Sequence, residues 1–296
     1  MRSCKRIDNR IWNRNLPVML ALLAGAHAVS LSQQLTPAQA GVLVREVVYN
    51  ELHDHDRHGY WRYWIEHHAQ KGSSREEQVE TADGPVKRLV LANDRPLGAA
   101  ESIEEQQRLQ RLLNSTSDQA RARQEYADDE MRIGRILALL PDAFLYQDTG
   151  EDNGCRRLHF RPNPDYPAHS IEARIFHAMS GDIWLDSRFK RLARLDGRLQ
   201  QNVDFGYGIL GRLYQGGWFR LQRTQVSLTD WKTERLEIHM AGRAMLFKTI
   251  ARETSEVRGG FQPVARGMRL VQGLQLLQSA DPESTKVRQI ALVMPR

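Results

Sequence analysis

Hydrophobic positions along this chain recur in two periods, and the switches between them mark its elements. Val44, Val47, Val48 and Leu52 keep helical spacing. They follow Thr36-Pro37, a capping hydroxyl and then proline at the first helical position. The helix fades into a polar run over 53–59. Residues 60–68 are aromatic and β-prone, with Tyr60, Trp61, Tyr63, Trp64 and Ile65. Residues 79–81 and 86–92 flank Asp83-Gly84-Pro85, a hairpin signature.

Residues 101–141 break this pattern. They read as a helical hairpin, 101–113 and 119–140, joined at 114–117 and stopped by Pro141. Ile133, Ile136, Leu137 and Leu140 fall at i, i+3, i+4 and i+7, one apolar stripe. The remaining surface is charged, Asp128-Asp129 included, which predicts a solvated insertion with one buried edge. Strands resume at 144–147 and 157–160, around a turn at 152–154. A short helix is expected over 171–177. Turns are then expected at Ser180-Gly181-Asp182, Asp196-Gly197, Gly216-Gly217, Thr229-Asp230 and Ala241-Gly242. Between them apolar and polar residues alternate: Leu236, Ile238 and Met240 share one face, Arg235, Glu237 and His239 the other. This is the pattern of an antiparallel meander. The tail beyond residue 260 is ambiguous between helix and strand, and 259–296 reads as a carboxy-terminal extension.

Charge looks informative until it is placed. The formal charge is +6. Arg2, Lys5, Arg6, Arg10 and Arg14, against Asp8 alone, precede one apolar run over 16–26. Without them the chain carries about +2, no footprint for a phosphate backbone, so no nucleic-acid partner is expected. The run is too short to span a bilayer as a helix, which needs about 20 residues. Ala26-His27-Ala28 is a small-x-small site. Residues 1–28 therefore read as a signal peptide cleaved after Ala28, with a periplasmic or otherwise exported mature chain and no transmembrane span; the alternative is retention of this segment as an anchor. Cys4 would leave with it, and Cys155 is then expected to be a lone thiol near a hairpin turn.

From Phe160-Arg161-Pro162-Asn163-Pro164 the chain passes through the short helix to Met179-Ser180-Gly181-Asp182-Ile183-Trp184-Leu185-Asp186, a basic strand, and Val203-Asp204-Phe205-Gly206. This resembles the bacterial outer-membrane lipoprotein-sorting proteins, the LolA/LolB-like superfamily, most specifically over Gly181 to Asp186. The order of elements is similar as well. The resemblance implies an α+β domain over 29–258. Its core would be a strongly curved antiparallel sheet, an open half-barrel, with helices covering the concave face and the helical insertion at about 101–141. It also implies an exported envelope protein that binds a lipid or acylated component. The same fold serves partner-binding envelope sensors.

The chemical candidates are few. His53, His55 and His58, interleaved with Asp54 and Asp56, are zinc-type ligands, and a metal-dependent exported enzyme is the alternative they support. Their spacing lacks the helical pair and base of the metalloprotease motif. Gly206, Gly208 and Gly211 match a dinucleotide fingerprint in spacing only, since no strand and amphipathic helix flank them. No nucleophile elbow or phosphate loop occurs. The expected reading is non-enzymatic and cofactor-free. Its apolar groove would be lined by Tyr63, Ile65, Ile133, Leu137, Phe205, Leu236, Ile238 and Met240, with lipid, acylated protein or an envelope protein as partner.

Overall fold

The computed structural model describes residues 34–53, 58–70, 72–205, 211–244 and 248–279. Helix α1 (Pro37–Leu52) leads into strands β1 (Tyr60–Ala69), β2 (Gly72–Val79), β3 (Val86–Ala92) and β4 (Arg95–Pro96). Helices α2 (Ala99–Asn114) and α3 (Thr116–Ala143) follow, then β5 (Phe144–Asp152), β6 (Cys155–Pro162) and α4 (Ile171–His177). The remainder is β7 (Met179–Asp186), β8 (Arg191–Leu199), β9 (Val203–Phe205), β10 (Gly211–Leu213), β11 (Trp218–Gln225), β12 (Trp231–Ala244), β13 (Lys248–Val264) and α5 (Leu270–Ser279). The class is α+β around one large antiparallel sheet that does not close. Its order is β4-β3-β2-β1-β13-β12-β11-β8-β7-β6-β5, with β10 pairing β12 and β9.

Local chemistry sets the boundaries. Gln39 N–H donates to Thr36 Oγ1 at 3.3 Å and Thr36 N–H to Gln39 Oε1 at 2.9 Å, a reciprocal cap with Pro37 at the helix start. The helical hairpin is present, but its joint is the single residue Ser115, whose hydroxyl caps α3. Pro141 does not stop α3; it lies inside the last turn, and the helix runs on to Ala143. Three expected turns are corrected. Gly181 lies within β7, Gly197 within β8 and Gly242 within β12, and Gly181 and Gly197 are register partners. A Cβ on Gly181 would overlap the Asp196 carbonyl, and one on Gly242 the Arg212 carbonyl. These glycines let neighbouring backbones approach closely inside the sheet. The expected boundary at residue 258 falls inside β13.

One row of register partners explains where the core sits. It crosses the sheet as Asp148, Leu158, Ile183, Leu195, Leu221, Leu236, Glu256, His67 and Ser74. This inner face is apolar from Leu158 to Leu236 and polar beyond. Over the first part lie α1, the end of α3 and α4, through Val44, Val47, Leu140, Ala143 and Phe176. A buried ion trio fixes α1 there. Glu51 accepts from Arg191 Nε and Nη2, both at 3.0 Å, from Leu192 N–H at 2.9 Å, and from Arg223 of β11. At the far end α5 and α2 close over β2 and β3 in a smaller core of Val79, Val86, Leu109, Leu270, Leu274 and Leu277. Helix α3 links the two ends: Gly134 lies beside Leu52 of α1, and Tyr126 lies against Gly84 of the β2–β3 turn. The outer face carries ion pairs instead, Arg157–Asp182, Arg194–Asp196 and Arg220–Glu237, with Trp184 between Arg157 and Arg194. No helix among the described residues is long and apolar enough to cross a membrane.

Candidate functional site

Beyond the cover of α1, α3 and α4 the inner face is built by β11, β12, β13 and β1; α5 packs on the opposite face of the sheet, against Val79 and Val86, since Val79 pairs with Arg62 while inner-face Tyr63 pairs with Gln78. Leu236 and Ile238 of β12 are half-buried on the inner face, beside their register partners Leu221 and Phe219 of β11. Met240 follows on the same face and touches the edge of the main core, as do Phe219 and Leu221. Neither Leu236 nor Ile238 belongs to any buried apolar cluster among the described residues. Close helix packing falls on β5, β7, β8 and β9 at one end and on β2 and β3 at the other.

Next to this apolar strip runs a polar band. His67 of β1 sits between Glu76 of β2 at 3.6 Å and Glu256 of β13 at 3.4 Å. Arg258 Nε donates to Glu256 at 2.5 Å. The His67 imidazole holds the Glu76 carboxyl below the usual carboxylate range, against the opposing effect of burial. Below the band, Tyr63 is buried; its hydroxyl accepts from Gln78 Nε2 and donates to Glu80 at 3.4 Å. Lys232 Nζ reaches both Glu80 oxygens at 2.8 Å. Burial pushes the Tyr63 phenol far above its ordinary value, so it stays a neutral donor. The whole is an amphiphilic surface, apolar strip beside polar band.

The eight expected groove residues divide. Leu236, Ile238 and Met240 come together on the strip, and Leu137 and Phe205 border the core beside it. Tyr63 and Ile65 are packed away with Trp61, Val226 and Phe261, at 4% and 1% exposure, and offer a ligand no surface. Ile133 is 53% exposed, so the apolar stripe of α3 is docked only from Ile136 onward. Leu221 was missed, although it alternates with Arg220 and Gln222 as Leu236 and Ile238 do with their neighbours.

No protein-family model, curated protein or solved structure matches this chain. Its chemistry must be read from its own side chains. His53 stacks on Tyr49 at 4.1 Å and its Nδ1 meets the Tyr49 carbonyl at 2.7 Å; His58 meets Tyr60 edge-on, and His55 lies outside the described residues. Among the described residues no three histidine, cysteine or acidic side chains gather to hold a metal. Of the dinucleotide-like glycines, Gly206 and Gly208 lie outside the described residues, and Gly211 opens strand β10. The expectation of a lone thiol is corrected: Cys155 is fully buried next to the turn of the β5–β6 hairpin, where it pairs with Asp152, and is disulfide-bonded. The sequence holds one other cysteine, Cys4, outside the described residues.

A second concavity lies elsewhere, beside β5, the last strand of the sheet order. It has a volume of about 810 Å³ and is lined by the first turns of α1, by β5, and by the segment after β6, including Pro37, Gly41, Arg45, Tyr146, Arg161 and Tyr166. None of the eight expected groove residues lines it. Its walls come from stretches about a hundred residues apart in sequence, and no local pattern announces it.

Proposed function

We propose that this is an exported, non-enzymatic envelope protein that holds an acyl chain or acylated component on the inner face of a curved, half-barrel sheet, in the manner of the LolA/LolB-like proteins it resembles in sequence. The observation that carries the reading is the strip of Phe219, Leu221, Leu236 and Ile238. It continues the apolar row of the main core past the last closely packed helix and is left half-buried. Burying one such side chain contributes about 1.5–3 kcal/mol, so a strip of four invites an apolar occupant. Exposed Ile133 on α3 supports an incompletely filled cover.

A disulfide fits passage through an oxidising compartment. Intact mass of the envelope form under non-reducing conditions separates a tethered protein from one released after Ala28.

Native mass spectrometry and uptake of a fluorescent fatty acid test the ligand. The expected outcome is a bound acyl species, with uptake reduced at least about tenfold in Ile238→Asp but little changed in Ile65→Val, a conservative change in the separate aromatic cluster. Fatty-acid uptake that is absent, or equal in both variants, overturns the reading.

A further inference from the structure

The two ends of a sheet are rows of backbone donors and acceptors, and in this protein they are treated differently. At the β3 end Leu89 N–H donates to Glu105 at 2.8 Å and the Lys87 carbonyl accepts from Arg108 at 2.6 Å, so α2 satisfies that edge. At the β5 end the described residues use one position. Gln34 Nε2 donates to the Asp148 carbonyl at 2.7 Å, while Leu35 N–H donates to the Asp148 carboxylate at 2.6 Å. The Asp148 carbonyl therefore points outward from the sheet. Backbone direction repeats every second residue in a strand, so the N–H and C=O groups of Tyr146 and Phe144 point outward too. Pro162 stands opposite Phe144, and it can stand there because Phe144 asks it for no N–H. Among the described residues no hydrogen bond reaches these outward groups of Phe144 and Tyr146.

We propose that the β5 edge binds an extended, uncharged segment of a partner protein as an added strand, with its backbone on Phe144 and Tyr146. Five observations converge. Phe144 and Tyr146 are among the residues lining the concavity of about 810 Å³, within the size range of real ligand sites. Gln34 already imitates one strand donor at the next position along. The outward side chains, Leu145, Gln147 and Thr149, carry no charge, and Leu145 is 38% exposed. Edge strands that must stay unpaired are normally blunted by lysine, proline or a covering element. The single acidic residue in this stretch, Asp148, is buried and paired with Arg156 at 3.1 Å. Arg45 and Asp142 at the rim neutralise each other at 2.9 Å, and Arg161 and Asp165 among the lining residues carry opposite charges, so these four give the groove no net charge to draw in a charged segment. A second copy of the chain is the poorer occupant: the first turns of α1 and the segment around Tyr166 both line the groove, leaving a slot suited to one strand rather than the edge of another sheet. Recognition would rest on main-chain hydrogen bonds, with alternate apolar side chains against Leu145 and Tyr166.

The fold offers a gentle way to close the groove. A Cβ on Gly41 of α1 meets only Arg45 Nη1, at 4.0 Å, so a tryptophan there projects into the slot without displacing the core, and it replaces a glycine inside a helix. Heptapeptides selected from a random library on the full chain serve as the probe. The expected result is uncharged, β-prone binders that slow amide exchange at Phe144 and Tyr146 about tenfold or more. Gly41→Trp should weaken binding at least about tenfold while melting no lower than wild type. Failure to select any binder, binders that leave those two amides unprotected, or full binding by Gly41→Trp each overturns the proposal. So does concentration-dependent dimerisation that protects the same amides without peptide.

Discussion

The β5 end and the β2–β3 end of the sheet solve the same problem with different materials. At the β5 end a large apolar core and a buried ion trio hold three helices to the inner face, and among the described residues the terminal backbone edge is met only at Asp148. At the β2–β3 end the core is small, and charged side chains of α2 are spent on the edge itself. The lesson is that burial and edge protection are separate requirements. Where the core is large, the protein can leave an edge free; where it is small, the covering helix must also supply hydrogen bonds.

The sharpest way to break this contrast is to remove the ion trio. Glu51 is 6% exposed, and its partners Arg191 and Arg223 are 8% and 12% exposed. Glu51→Ala leaves two guanidinium groups in a poorly solvated site without their carboxylate, and breaking a buried pair in this way costs about 3–5 kcal/mol. The urea midpoint should fall accordingly, with the slope unchanged. A loss below about 1 kcal/mol would mean that the apolar contacts alone hold α1.

How much of this was readable in the sequence follows from the range of the interactions. The helix start at Thr36-Pro37, the aromatic run of β1, the Asp83–Gly84 turn and the helix at Ile171–His177 are local, and the pattern announces them. The glycines at 181, 197 and 242 misled because glycine serves both tight turns and close strand approach, and only the partner strand decides which. The apolar strip was half-visible: β12 alternates plainly, but its neighbour β11 is recognised only once pairing is known. Tyr63 and Ile65 look like groove residues by composition and are consumed by a core with Phe261, nearly two hundred positions away. The β5-edge groove was not legible at all, because it is a meeting of α1 with strands far along the chain.

A smaller effect probes the closed edge. Glu105→Ala removes the acceptor of Leu89 N–H and the ion-pair partner of Arg108, 2.7 Å away. The net loss for one such hydrogen bond is about 1 kcal/mol. Exchange at the Leu89 amide should rise well beyond the change in global stability, and the variant should associate more readily through the bared strand. If Leu89 exchanges no faster than wild type, α2 does not guard that edge and the contrast between the two ends weakens.

The smallest expected effect lies in the polar band that separates them. His67 holds the Glu76 carboxyl below its unfolded value, which is about 4.3 for a glutamate. A carboxylate with a depressed folded value binds fewer protons when folded than when unfolded, so its contribution to stability is fully present above about pH 4.3. It is lost as pH falls through the folded value, where the folded group takes up its proton as well. Glu76→Gln abolishes this linkage while keeping the shape of the side chain. Its stability should therefore fall less steeply than that of wild type between about pH 5 and the acid transition, and the two should run parallel near neutrality. Parallel curves through the acid range as well would show that the Glu76–His67 contact is not held in solution. The inner face would then be looser between its two ends than the register of β1, β2 and β13 implies.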